Sequence, residues 1–316
     1  MIPTKHPIAD LIARRGGLVI DGAMSTPLEA AGLDLNDSLW SAKALIERPD
    51  VVRRVHLDYY AAGANAVESC SYQASELAFT KKGYSREEAA RLMRRSGELV
   101  REAKSEALLD NPDLDPADLL TVGSIGPYGA YLADGSEYTG AYSLTREEYV
   151  KFHELRLTEL INAGMDVLAF ETQPRYDEIE ALLSMIAQKN ITCWVTVTLK
   201  DGDMPDGTKL EKLAALLDAD PHVEAFGFNC VKREWVEPGL KRLVACTKKP
   251  LVVYPNSGEA YDPETKTWHA QGPHEPDWSH YVPLWEKTGA RCLGGCCRTM
   301  PKDIVQIAEL MHTKAH

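Results

Sequence analysis

The chain is 316 residues long, 44% apolar and 26% charged, the make-up of a globular protein with a sizeable core. Its 35 basic against 47 acidic side chains give a net charge of −12 with no basic block, which argues against a phosphate-backbone partner such as nucleic acid. No apolar run approaches the ~18 residues of a membrane span, and the seven cysteines follow no secretory leader, so metal binding or catalysis in the cytoplasm is expected rather than a disulfide framework.

In chain order, Ile8, Leu11 and Ile12 share one face of an opening helix that is expected to plug the bottom of the fold. Strand-like runs then alternate with helical segments. The runs are Leu18–Asp21, Ala66–Ser71, Leu120–Ile125, Val167–Glu171, Cys193–Leu199, Ala225–Asn229, Leu251–Tyr254 and Cys292–Gly295. Between Ser85 and Leu108, Ala89, Leu92, Met93, Val100, Ala103 and Ala107 fall within a narrow helical arc, and Ser85 with Glu88 spells a capping box. Thr145 with Glu148 repeats that box ahead of Tyr149, Val150, Leu157, Leu160 and Ile161, and His153 on this helix reads as a core residue. Gly63, Gly164 and Gly289 each sit where a helix must end and feed a strand at once. The loops that follow strands are uneven and, after Asp21, Ile125 and Tyr254, long. This alternation predicts an α/β fold, a single-domain (β/α)8 TIM barrel over residues 1–316, with its site at the C-terminal ends of the strands.

Those strand ends carry the chemistry. Cys230 ends the sixth run and Cys296 and Cys297 follow the eighth, so a closed barrel would turn the three toward one mouth. Three thiolates with one position left open describe a catalytic zinc site, and sulfur favours zinc over hard ions. A vicinal disulfide between Cys296 and Cys297 is the competing reading, and Cys70 at another strand end is a conceivable fourth sulfur. Cys193, Cys246 and Cys292 read as small buried hydrophobes. Gly294 and Gly295 would let the strand approach the metal and substrate with no side chain between.

Taken together, LVIDGAM (Leu18–Met24), Phe170-Glu171-Thr172, Gly227-Phe228-Asn229-Cys230 and GGCCRT (Gly294–Thr299) resemble the homocysteine S-methyltransferase family over nearly the whole chain. Asp37–Lys43, His56–Tyr60, Gly126–Tyr138 and Tyr254–Glu259 are similar to its bacterial members that use S-methylmethionine. The resemblance implies a (β/α)8 barrel, one Zn2+ per chain held by Cys230, Cys296 and Cys297, and methyl transfer to homocysteine to give methionine. It also gives Asp21 and Glu171 the homocysteine ammonium.

The residues support the same chemistry on their own terms. The thiolate is the nucleophile, and coordination to zinc removes its proton. A sulfonium donor leaves as a neutral thioether, so no general acid is needed, and no catalytic side chain is expected beyond the zinc-activated substrate thiolate. Asp21 and Glu171 suit an ammonium, with a structural ion pair as the alternative. The amides of Gly22 and Ala23 suit the substrate carboxylate, and Asn229 suits the support of a ligand sulfur. Aromatic faces attract a sulfonium; Trp40, Tyr128, Tyr131, Tyr138 and Trp268 are candidates, with Asn256 and Glu259 for the donor's amino-acid end and a weaker case for His269. S-adenosylmethionine is a second sulfonium donor. Betaine as donor, selenocysteine as acceptor and a non-catalytic zinc- and thiol-binding barrel remain open. The expected partners are small molecules, and the protein is expected as a monomer or small homo-oligomer.

Overall fold

The computed structural model describes residues 5–37, 39–258, 260–262, 267–269 and 277–312. Eight parallel strands form one sheet: β1 (Leu18–Val19), β2 (Ala66–Glu68), β3 (Leu120–Ile125), β4 (Val167–Gln173), β5 (Thr192–Val197), β6 (Val223–Asn229), β7 (Leu251–Tyr254) and β8 (Ala290–Leu293). Each pairs with its sequence neighbour from β2 to β8, and β8 pairs with β1. The ring closes where Ile20 bridges Ala66 and the Asp21 N–H donates to the Ala66 carbonyl at 3.0 Å. A closed barrel leaves no unpaired edge.

Side chains alternate in and out along each strand. The inward set packs as its own cluster, with Ile20, Ala66, Val122, Ala169, Trp194, Ala225, Val252 and Cys292 all fully buried. Ile8 and Leu11, from the helix Pro7–Arg15, belong to this interior cluster, so the opening helix plugs the barrel as expected. The outward faces pack against the helical ring in a second, larger cluster. Both capping boxes are present, at Ser85 before Arg86–Asp110 and at Thr145 before Arg146–Asn162. Gly63, Gly164 and Gly289 adopt φ of 97°, 78° and 114°, values that favour glycine. Among the described residues no helix is long and apolar enough to cross a membrane.

Strand bounds depart from expectation mostly at the C-terminal ends. β2 stops at Glu68, because the chain turns at once and the Ser71 N–H donates to the Ser69 carbonyl at 2.7 Å. β8 stops at Leu293, before its glycines. β4 runs on to Gln173 through a register shift that places Thr172 at φ 55°. After β7 an antiparallel hairpin pairs Ala260–Asp262 with Thr267–His269.

Candidate active site and metal centre

The cluster of three sulfurs is built from two strand ends. β6 and β7 run side by side, and the Cys230 N–H donates to the Tyr254 carbonyl at 3.2 Å while Cys230 itself sits at φ 52°. A non-glycine residue held in that region is strained, a cost tolerated mainly at functional positions. On the other side, Cys296 N–H donates to the Pro255 carbonyl at 2.9 Å and Cys297 O accepts from Ser257 N–H at 3.0 Å. Gly295 lines the cavity beside the cysteines, and both glycines also make contacts that were not expected. A Cβ on Gly294 would lie 2.7 Å from the Ile20 carbonyl oxygen and 2.9 Å from that of Asp21, and one on Gly295 would lie 2.7 Å from Thr299 Cβ. They let β8 close on β1 and let the motif fold back on itself.

The Sγ atoms of Cys230, Cys296 and Cys297 lie within 4.8 Å of one another. Cys230 Sγ is 3.1 Å from Cys296 Sγ and 3.3 Å from Cys297 Sγ. Metal–sulfur bonds of ~2.3 Å in a tetrahedron set sulfurs about 3.8 Å apart, so a soft divalent ion fits with a small outward movement. Hydrogen bonds from Cys296 and Cys297 hold the Cys230 thiol well below its ordinary pKa, and the same sharing raises those of Cys296 and Cys297. The Tyr138 hydroxyl lies 3.5 Å from Cys230 Sγ. All seven cysteines are free, so the vicinal disulfide is not formed. Cys70 lines the cavity, but its thiol donates to the Ser41 carbonyl at 3.3 Å and burial raises its pKa to about 12; it stands outside the sulfur cluster. Cys193 and Cys292 are buried as expected, whereas Cys246 is exposed at a helix end.

The same cavity is lined by Asp21 and Glu171 at the ends of β1 and β4. Neither is in an ion pair among the described residues. Asp21 Oδ2 accepts from the Glu68 N–H at 3.0 Å, and Ser124 Oγ donates to Glu171 Oε1. Asn229 ties the acid to the sulfurs. Its Oδ1 accepts from Thr172 N–H at 2.7 Å, and its Nδ2 lies 3.4 Å from Glu171 Oε2 and 3.9 Å from Cys296 Sγ. Burial pushes the Glu171 carboxyl up to about 7, against the lowering effect of the Ser124 bond; burial likewise raises Asp21 well above the usual carboxylate range. Gly22 and Ala23 line the cavity beside Asp21. The Ala23 amide donates to Thr299 Oγ1 at 3.2 Å in this structure.

Of the aromatic candidates, Trp40, at φ 46°, and Tyr138 line the cavity. Tyr128 does not. Its ring packs 5.0 Å from Phe152 and 5.6 Å from Tyr142, drawn outward by the helix Arg146–Asn162, with Tyr131 beside it. Asn256 is also absent from the lining; its N–H donates to the Val231 carbonyl at 3.2 Å. Glu259 lies outside the described residues, and only the backbone of Trp268 and His269 is described. His153 is buried as expected, but within a polar network. Its Nε2 meets Glu178 Oε1 at 2.8 Å, and Arg156 beside it donates to the carbonyls of Tyr72 at 2.6 Å and Gly126 at 2.7 Å, pinning the loops after β2 and β3.

Sequence reasoning missed Glu68, Tyr72, Ser124, Glu137 and Tyr254, all of which line the cavity. A signal existed for Glu68 and Ser124, each two residues beyond an inward core position, Ala66 and Val122. Burial raises the Glu137 carboxyl to about 7, and its Oε2 is buried with no hydrogen-bond partner. Among the described residues the lining carries carboxylates and no Lys, Arg or His.

Comparison with known proteins agrees with this geometry. The homocysteine S-methyltransferase family profile matches residues 18–311. Homocysteine S-methyltransferase of Escherichia coli K12 is 46% identical over 96% of this chain and 97% of its own length. Homocysteine S-methyltransferase YbgG of Bacillus subtilis is 42% identical over the same shares. The metallated form of the homocysteine methyltransferase MmuM from Escherichia coli superposes with a TM-score of 0.87 at 43% identity, covering 96% of this chain and 99% of that one. A family profile matched over almost the whole chain, on a barrel whose strand ends gather three cysteines and two carboxylates, leaves one conclusion: the chain is an enzyme of the homocysteine S-methyltransferase family.

Proposed function

We propose that the protein transfers a methyl group from a sulfonium donor, S-methylmethionine foremost, to the thiolate of homocysteine, giving methionine and a neutral thioether. The observation that carries this reading is that a three-sulfur cluster and two buried carboxylates, in no ion pair among the described residues, share one cavity. Cys230, Cys296 and Cys297 would hold zinc, which when bound supplies the deprotonation of a thiol that otherwise stays protonated at neutral pH.

The chain's own residues do the rest. Asp21 and Glu171 take the homocysteine ammonium, and Gly22 faces the substrate carboxylate. Asn229 fixes Glu171 relative to Cys296, so the held ammonium and the thiol are set at one distance. Orienting acceptor and donor this way makes transfer effectively intramolecular. The donor side is anionic and aromatic: Glu137 with Trp40, Tyr72 and Tyr138 presents a carboxylate and ring faces to a sulfonium. As the methyl moves, the positive charge disappears from the donor sulfur and no proton has to reach the leaving group.

The test is methionine formation from homocysteine with S-methylmethionine, S-adenosylmethionine and betaine in parallel, and with selenocysteine as alternative acceptor. The reading predicts methionine from a sulfonium donor. Methionine from betaine alone contradicts the donor assignment, and none from any donor contradicts methyl transfer itself.

A further inference from the structure

We propose that Glu68 is the third carboxylate of the acceptor's amino subsite, so that Asp21, Glu68 and Glu171 together select a primary ammonium. This rests on the reading of homocysteine as acceptor and extends it to a residue at the end of β2.

Strand alternation turns Glu68 inward, since Ala66, two positions earlier, belongs to the barrel interior. It lines the same cavity as the other two acids and the three cysteines. Its backbone N–H is bound by Asp21 Oδ2 at 3.0 Å, so the two residues are fixed together. Tyr254, its hydroxyl held by Trp194 Nε1 at 3.1 Å and by Thr196 Oγ1 at 2.8 Å, lowers the carboxyls of both Glu68 and Glu171 through a side-chain hydrogen bond and so links those two acids. Glu68 Oε1 is fully buried and has no hydrogen-bond partner. Buried polar atoms are nearly always paired, so an orphaned acceptor on a residue that lines a cavity is a place for a donor from a ligand. Burial and the neighbouring charges of Glu171 and Asp21 raise the Glu68 carboxyl well above its usual range, as expected of acids gathered without a cation.

The chemistry of the missing donor comes from the count. A primary ammonium carries three N–H donors and no acceptor, and three carboxylates, one at each of three strand ends, line the cavity that would receive it. A quaternary ammonium or a thiol lacking the amine supplies none of those donors, and its entry leaves Glu68 Oε1 both buried and unpaired. The subsite therefore discriminates by penalty as well as by attraction.

The experiment compares wild type with Glu68→Gln and Glu68→Ala on two thiols: homocysteine, and 4-mercaptobutanoate, which keeps the thiol, chain and carboxylate but lacks the amine. Affinity is read by calorimetry without donor and as KM with donor. Losing one charge-assisted hydrogen bond is expected to weaken homocysteine about 10- to 100-fold, with kcat changed far less. Affinity for 4-mercaptobutanoate should stay constant or improve, and metal content should be unchanged. Equal losses on both thiols, or no loss on homocysteine, overturn the proposal. Homocysteine binding without turnover in wild type would refute methyl transfer while leaving this subsite standing. Wild type that binds no homocysteine would refute both.

Discussion

Asp21 and Glu171 face a cavity whose lining, among the described residues, holds no Lys, Arg or His, and neither makes an ion pair there, although the charge of Arg156 reaches Glu171 from outside the lining. Replacing either by its amide, Asp21→Asn or Glu171→Gln, removes a charge-assisted bond worth about 1.5–3 kcal/mol. KM for homocysteine should therefore rise roughly 10- to 100-fold in steady-state assays while bound metal is retained. The pH dependence has a definite sign. Burial raises the Glu171 carboxyl to about 7, so it is protonated below that pH and cannot pair with an ammonium. Homocysteine affinity should fall as pH drops through about 7, and Glu171→Gln should flatten that profile. On the donor side, Glu137→Gln should raise KM for S-methylmethionine and leave KM for homocysteine nearly unchanged; an equal rise for both would place Glu137 elsewhere in the reaction. The acids were only partly legible in the sequence. Asp21 and Glu171 stood out through motif resemblance. Glu68 was hidden because the strand-like run continues to Ser71, which conceals that it is the last ladder residue of β2.

At the scale of the element, the segment after β8 does two jobs at once. Its cysteines reach β6 and its glycines let the backbone close on β1. Gly295→Ala would push a Cβ into Thr299, the residue that also caps the Ala23 amide. Overpacking of this kind costs about 1–3 kcal/mol, so chemical denaturation should show a loss of that size together with weakened metal retention. The two cysteines of this segment were readable from spacing alone, because strand ends in a barrel converge. The loop aromatics were not. Tyr128 and Tyr138 lie in two short helices, Tyr128–Leu132 and Ser136–Thr139, of the same connection after β3, yet the helix Arg146–Asn162 draws the first ring outward onto Phe152 while the second lies at Cys230. That difference is decided by tertiary packing, which periodicity does not encode.

Across the whole molecule, closure is what creates the site. Cys230 and Cys296 stand 66 positions apart and meet only because the sheet runs round from β6 through β7 to β8. The plug helix completes the interior from below, and Leu11→Ala, at a fully buried position, should cost about 2–5 kcal/mol in unfolding free energy. This architecture was legible because eight strand runs alternate with helical ones and three connections carry glycine at the same place. The most direct test of the account is zinc content and methionine formation, measured on the same samples of wild type, Cys230→Ser, Cys296→Ser and Cys297→Ser. The account predicts a single equivalent of zinc and methionine from homocysteine and S-methylmethionine in wild type, with both lost in every variant. Stoichiometric zinc retained in all three variants, or full activity in zinc-free protein, would contradict it.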